Sequence, residues 1–313
     1  MGLKNKKSSK KAKPFLKWAG GKGQLLETFT HYYPHELQDG KIKNYFEPFI
    51  GGGAVFFDLA QKHKFESAFL YDINEELILT YRVVQKDVFK LVEILDGYKK
   101  NYESRSEEKQ KELFYETRTA FNQQRLKTNY QKYSENWILR AAQIIFLNKT
   151  CFNGLFRFNL KGEFNTPVGR YKNPAILDEK NLKSVSEILL SAEIKKADFK
   201  EVEKDLKANA FVYFDPPYRP ISKTSSFTSY SKTDFSDVQQ NELANLFNRL
   251  HEKGAYVMLS NSDPKNSNPD DNFFDDLYSN HQIVRVPAKR SINSNAAKRN
   301  SINEIIVTNY IPK

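Results

Sequence analysis

At 313 residues the chain can hold one large domain or two smaller ones and bury a sizeable core. Hydrophobic residues make up 39% and charged residues 28%, and no apolar run approaches the ~20 residues that a membrane helix needs. One cysteine, Cys151, excludes an internal disulfide and a cysteine-based zinc site, and suits a reducing, cytoplasmic setting. Six lysines in residues 1–13 supply over half of the net charge of +11, and no apolar stretch behind them makes a secretory signal. That segment reads as a basic, mobile tail. The charge suits a polyanionic partner, though basicity alone is weak support for nucleic acid.

In chain order, the anchor Phe15-Leu16-Lys17-Trp18 precedes a glycine turn, Gly20-Gly21-Lys22-Gly23. A phosphate-cradling loop needs G-x-x-x-x-G-K-[ST], and Gly23 after Lys22 breaks that spacing. The glycines more naturally let backbone approach a flat ligand. Residues 25–33 read as a short helix ending at Pro34, and residues 41–49 as a strand. Gly51-Gly52-Gly53 follows, then apolar positions at helical spacing over 54–61. Strand, glycine turn and helix open a nucleotide-binding α/β unit, but without the G-x-G-x-x-G of a dinucleotide site. A second strand, 67–71, ends at Asp72-Ile73-Asn74, where such folds hold ribose hydroxyls. Asp72 is equally suited to capping the helix expected over 75–84.

From 85 to 191 the pattern turns helical, with segments at 89–100, 107–124 and 137–148. A hairpin is expected over residues 152–165, marked by Asn153-Gly154 and Lys161-Gly162 turns among alternating aromatics. Arg157, Asn159 and Asn165 are residue types that read base edges, and Phe152 could wedge into a stack. An ordinary surface hairpin is the competing account. The sheet pattern resumes at 192–199, which contains Asp198-Phe199.

Ala210-Phe211-Val212-Tyr213-Phe214 is then an unbroken apolar run, a strand buried on both faces. It stops at Asp215-Pro216-Pro217-Tyr218, because two prolines continue neither ladder nor helix. A carboxylate, carbonyls without competing N–H groups and an aromatic plate can together grip a planar group bearing NH₂. A long polar loop (219–235), a helix capped by Ser236 (236–251) and a strand (255–260) follow. Strands at 282–287 and 304–308 flank a basic turn with Lys289, Arg290, Lys298 and Arg299, suited either to phosphate contact or to a solvated hairpin tip.

Taken in order, these motifs resemble the Dam-type DNA adenine-N6 methyltransferases (D12 class, alpha group), the GATC-modifying family. The matching residues are Phe15 to Lys22, Glu47-Pro48-Phe49-Ile50 with the three glycines, Asp72-Ile73-Asn74, Phe152 to Asn159, Gly162 to Asn165, Asp215 to Tyr218 and Ser291 to Ser294. The resemblance implies an α/β, Rossmann-like S-adenosylmethionine-dependent core over 14–84 plus 192–313. A mostly helical target-recognition insert with a β-hairpin would occupy 85–191. It implies that Lys17, Trp18 and Gly20 enclose the cofactor, that Gly51 and Gly53 pass its methionine part, and that Asp72 takes the ribose hydroxyls. Asp198 and Phe199 would hold its adenine. Asp215, Pro216, Pro217 and Tyr218 would be catalytic.

The partner implied is double-stranded DNA, contacted by Lys17, Phe152, Asn153, Leu155, Arg157, Asn159, Asn165, Arg170, Tyr171 and Arg290. The product of the cofactor is S-adenosylhomocysteine, no metal is expected, and the enzyme is expected to act as a monomer. Two rivals stay open at this point: methylation of cytosine N4 through a similar acid-Pro-Pro-aromatic turn, and a DNA-binding protein with a vestigial core.

Overall fold

The computed structural model describes residues 11–219, 235–288 and 302–312. The basic turn with Arg290, most of the 219–235 loop and residues 1–10 of the tail lie outside these. Two compact units emerge. One comprises residues 1–19, 52–61 and 76–190, the other residues 20–51, 62–75 and 191–313. The chain therefore divides more often than an insert bounded at 85 and 191 would.

The second unit is built on a seven-stranded sheet of β1 (Asn44–Glu47), β2 (Ser67–Asp72), β3 (Ala192–Lys196), β4 (Ala210–Phe214), β5 (Tyr256–Ser262), β6 (Gln282–Ala288) and β7 (Ile302–Thr308). The order is β3-β2-β1-β4-β5-β7-β6. Strands β1 to β5 pair in parallel, whereas β7 runs antiparallel to both β5 and β6. Between β1 and β4 the winding direction reverses, and the carboxyl ends bordering that switch are where open α/β sheets place ligands. This mixed α/β sheet is consistent with a methyltransferase using S-adenosylmethionine.

Every residue of β4 is buried, as its aromatic and β-branched content demands. Phe46, Val212, Phe214, Leu259 and Val307 join Leu243, Phe247 and Leu250 of a helix over Asp237–Glu252 in one core cluster. That helix starts with the expected Ser236, whose N–H donates to Gln239 Oε1 at 3.0 Å in a capping box. The first strand is shorter than its 41–49 reading. The helix expected at 25–33 is a 3-10 turn (Lys22–Gln24) and a single turn (Leu26–Phe29).

The first unit centres on four helices, Val88–Glu103, Glu107–Arg125, Asn136–Thr150 and Glu179–Leu189. The last of these was not anticipated. Its buried ion pair joins Arg140 to Glu76: Arg140 Nε donates to Oε2 at 2.8 Å, and Tyr130 donates to Oε1 at 2.6 Å. Arg140 also donates to the Phe121 carbonyl at 2.9 Å, so the pair is well satisfied for its depth.

Two expectations need correction. The tail does not extend to residue 13: Ala12 is buried and exchanges two hydrogen bonds with the Gln61 amide, at 2.8 and 2.9 Å. Lys13 does the same with Asn181, at 3.0 Å in both directions. Nor does a β-hairpin span all of 152–165. The antiparallel pairing is confined to the Phe158–Phe164 bridge, where Asn159 N–H donates to the Glu163 carbonyl at 2.9 Å and Asn165 N–H to the Arg157 carbonyl at 3.1 Å. A 3-10 turn (Phe152–Gly154) precedes it, and a second isolated bridge joins Cys151 to Val168. Left-handed backbone at Asn153 and Gly154 keeps the first residues out of the ladder, and that at Gly162 serves the turn. Contacts among Phe156, Phe158 and Phe164 hold the loop.

Candidate active site and DNA-facing loop

Four side chains from distant stretches converge where β4 ends. Asp215 follows the strand directly, Tyr218 closes the Pro-Pro turn, Lys22 comes from the 3-10 turn and Glu304 from β7. Lys22 Nζ lies 2.6 Å from Asp215 Oδ1. It donates to the Tyr218 hydroxyl at 3.0 Å and to the Gly20 carbonyl at 3.1 Å, and stands 3.7 Å from Glu304 Oε2. The Tyr218 hydroxyl donates in turn to Glu304 Oε1 at 2.8 Å.

Lys22 is only 3% exposed, a burial that lysine tolerates only when paired. Burial alone would lower its ammonium, but Asp215, Tyr218 and Glu304 outweigh that and hold it far above the usual range. Burial pushes the Asp215 carboxyl up to about 6, with Lys22 opposing the rise and Glu304 adding to it. The ammonium 2.6 Å away favours the ionised form of the acid. Among the described residues its Oδ2 has no hydrogen-bond donor, and neither has the Pro216 carbonyl. The Pro217 carbonyl accepts from Gln240 Nε2 at 3.4 Å.

A second acid lies at the end of β2. Gly51 N–H donates to Asp72 Oδ2 at 3.2 Å and Asn74 N–H donates to Oδ1 at 2.9 Å. Burial pushes this carboxyl up to about 6, while the N–H groups of Asn74, Gly51 and Ile73 pull it down. A carboxylate held by N–H groups alone keeps lone pairs for hydroxyl donors, which fits the ribose of S-adenosylmethionine. Asp72 also serves the turn into the next helix, so its two readings are compatible. Gly51 and Gly20 take φ of +44° and +72°, where a side chain would be strained. Exposed Asp198 caps the 3-10 turn Phe199–Glu201 by accepting from Lys200 N–H at 3.0 Å. The Phe199 ring is buried against Phe49, centroids 5.5 Å apart, and forms a wall rather than an open plate.

The other unit carries the residues expected to contact DNA, except Arg290. Asn148 clamps Lys17 like a peptide: its Oδ1 accepts the Lys17 N–H and its Nδ2 donates to the Lys17 carbonyl, both at 2.8 Å. Lys17 Nζ sits 4.0 Å above the Tyr171 ring. Gly154, at φ +67°, leaves no room for a Cβ, which would fall 2.4 Å from Lys17 Cδ. The Trp18 ring lies 6.1 Å from that of Phe156.

Arg157 donates from Nε to Asn165 Oδ1 at 3.0 Å, and Asn159 closes its turn through Glu163, at 2.9 and 3.0 Å. The two asparagines thus shape the loop. Phe152, Asn153 and Arg170 are exposed, and Leu155 and Arg157 half-buried. The cofactor set divides: Lys17, Trp18 and Gly53 belong to this unit, the remainder to the sheet unit.

Lys22, Glu304, Gln240 and Asn148 were missed in the sequence. Lys22 was set aside once the phosphate-loop spacing failed. An acid inside the apolar strand Ile302–Thr308 was the signal available for Glu304, since a buried charge needs a partner.

The family model for D12 class N6 adenine-specific DNA methyltransferases matches residues 18–292. Over 299 residues the chain is 50% identical to the type II methyltransferase M.MjaIII of Methanocaldococcus jannaschii, covering 95% of this chain and 99% of that one. It is 40% identical over 300 residues to the type II methyltransferase M1.LlaDCHI of Lactococcus lactis subsp. cremoris, covering 95% of each. A DNA adenine methylase of Vibrio cholerae is 32% identical over 302 residues, covering 95% of this chain and 96% of that one. The chain belongs to the D12 class N6 adenine-specific DNA methyltransferases. It is an enzyme that methylates adenine N6 in DNA, which decides against the cytosine-N4 and non-catalytic readings. Membership implies S-adenosylmethionine as methyl donor.

Proposed function

We propose that the enzyme methylates adenine within GATC in duplex DNA, acting as a cytoplasmic monomer on a base flipped out of the helix. The observation that supports it most is the open acceptor pair at the end of β4, Asp215 Oδ2 and the Pro216 carbonyl. An adenine amino group is a poor nucleophile because its lone pair is delocalised into the ring. Two acceptors on its two hydrogens favour a pyramidal nitrogen with the lone pair projecting away from them. Position and electrostatics are what these residues contribute, without a covalent enzyme intermediate. When bound, S-adenosylmethionine supplies an electrophilic methyl group and leaves as S-adenosylhomocysteine. Tyr218, 37% exposed and held by Lys22 and Glu304, offers its ring to a base that has left the stack.

In this reading Asp72 binds the ribose hydroxyls, Asp198 and Phe199 flank the adenine of the cofactor, and Gly51 and Gly53 pass its methionine part. Lys17, Trp18 and Gly20 complete the enclosure. Residues 14–84 with 192–313 form the methyltransferase part and residues 85–191 the target-recognition part. Leu155, Arg157 and Lys17 read outer base pairs, and Phe152 wedges beside the flipped adenine. Asn153, Arg170 and Tyr171 complete the contact surface, with Asn159 and Asn165 shaping it. The two relatives of higher identity are type II methyltransferases, and we assign this chain the same role.

Purified enzyme should protect a plasmid from the GATC endonuclease that adenine methylation blocks and leave it open to the insensitive one. Methylation rates on GATC should exceed those on every single-base variant. Equal rates on another sequence would reject the target and leave the chemistry at Asp215 standing.

A further inference from the structure

We infer that Lys22 is a positioning residue for methyl transfer: its buried ammonium pins Asp215 Oδ1 and the Tyr218 hydroxyl in place and leaves Oδ2 open to the adenine amino group. The inference rests on the assignment of Asp215 as acceptor. An ammonium has three N–H donors, and all three are used, on Asp215, Tyr218 and the Gly20 carbonyl. Among the described residues Glu304 Oε2 is accordingly left buried without a hydrogen bond, with the Lys22 charge 3.7 Å away. A lysine saturated this way has no proton to accept and little freedom to move. It is a fixed pin and not a general base.

The charge matters as much as the geometry. Asp215 is faced by Lys22 from the 3-10 turn, by Tyr218 from its own turn, by Glu304 from β7 and by Tyr213 from β4. Without Lys22, two carboxylates would share one poorly solvated cluster, where the second ionises only at higher pH. Asp215 would then hold a proton and lose an acceptor oxygen. With Lys22 in place the cluster keeps one net negative charge beside the reacting nitrogen.

The test is the pH dependence of single-turnover methylation by the full chain, on a duplex that the wild type methylates. Lys22→Met should move the acidic limb up by about one unit or more, so that activity at pH 6.5 falls at least about threefold further than at pH 8.5. Glu304→Gln, which keeps an acceptor for Tyr218 but removes its charge, should move the limb below that of the wild type. The double substitution should bring the limb part of the way back. Lys22→Arg, with the charge but a different donor fork, should lower the rate and leave the limb in place. Calorimetric affinity for S-adenosylmethionine should stay within about threefold throughout.

A limb that stays put in both Lys22→Met and Glu304→Gln overturns the inference, as does an equal upward shift in Lys22→Arg. If Lys22→Met does not fold, the Glu304→Gln and Lys22→Arg limbs decide alone. Asp215→Ala, which removes both carboxylate oxygens, separates the two layers. If it retains activity, the acceptor assignment itself fails. If it is inactive while the limbs do not move, only the role of Lys22 falls.

Discussion

The end of β4 and the loop over residues 150–171 solve opposite problems. At β4 a lysine, two acids and a tyrosine are locked together in a poorly hydrated cluster, and among the described residues one carboxylate oxygen and one carbonyl are left open. In the loop, amides do the holding and charges stay available. Asn148 clamps Lys17, Asn165 orients Arg157, and Gln61 and Asn181 tie down the backbone at residues 12–13. Chemistry on a weak nucleophile needs a fixed electrostatic environment before the base arrives. Reading a duplex needs cations that reach outward on a backbone that does not move. At the end of β4 the charges are therefore spent on each other, whereas in the loop the holding is done by neutral amides.

Substitutions can break this contrast at either end. The largest effect is expected from Asp215→Ala, which removes the open acceptor and strands Lys22. Single-turnover methylation should fall by about 10²–10³-fold or more while duplex binding is retained, since the reading surface is untouched. A near-normal rate would rule out Asp215 as acceptor.

Asp72→Ala should weaken binding of S-adenosylmethionine by about 1–3 kcal/mol in calorimetric titration. The wild-type affinity should also decline as pH falls through about 6, because the carboxyl there is raised to that value and accepts hydroxyls best when ionised. Asp72→Asn should abolish that decline. An affinity equally pH-dependent in wild type and variant would place the titrating group elsewhere.

In the loop, Gly154→Ala puts a methyl group into the Lys17 stem and strains a left-handed residue. About 1–3 kcal/mol of stability should be lost in a denaturant titration. An unchanged midpoint would mean that the Lys17 stem yields freely. Arg157→Ala should cost about 1–3 kcal/mol of discrimination at one base pair, with random-duplex binding little changed. A uniform loss on all sequences would make Arg157 a phosphate contact. The smallest effect is expected from Asn165→Ala, about 0.5–1.5 kcal/mol of the same discrimination, because it acts through Arg157. In the double variant the two losses should not add; additive losses would give Asn165 a contact of its own.

Much of the catalytic apparatus was legible in the sequence because its causes are local. An apolar run of five residues must be a buried strand, two prolines must end it, and the acid between them must stand at its tip. The acid after β2 and the glycines after β1 follow from the same logic, and the ordered motifs name the family.

Other features were settled only by tertiary packing. Lys22 and Glu304 belong to segments that look unrelated, and β7 carries Glu304 to the site by pairing antiparallel beside β5, with Glu304 opposite Ser262. No periodicity encodes that meeting, because an ion cluster is a property of strand order. The loop over 152–165 alternates aromatics as a hairpin would, yet left-handed Asn153 and Gly154 confine the pairing to the residues around Phe158 and Phe164. Residues 12–17 are held by amides from three distant positions, contacts whose partners exist only once the helices have packed. Local sequence determined which groups the enzyme would present, and long-range packing decided which charge would hold them in place.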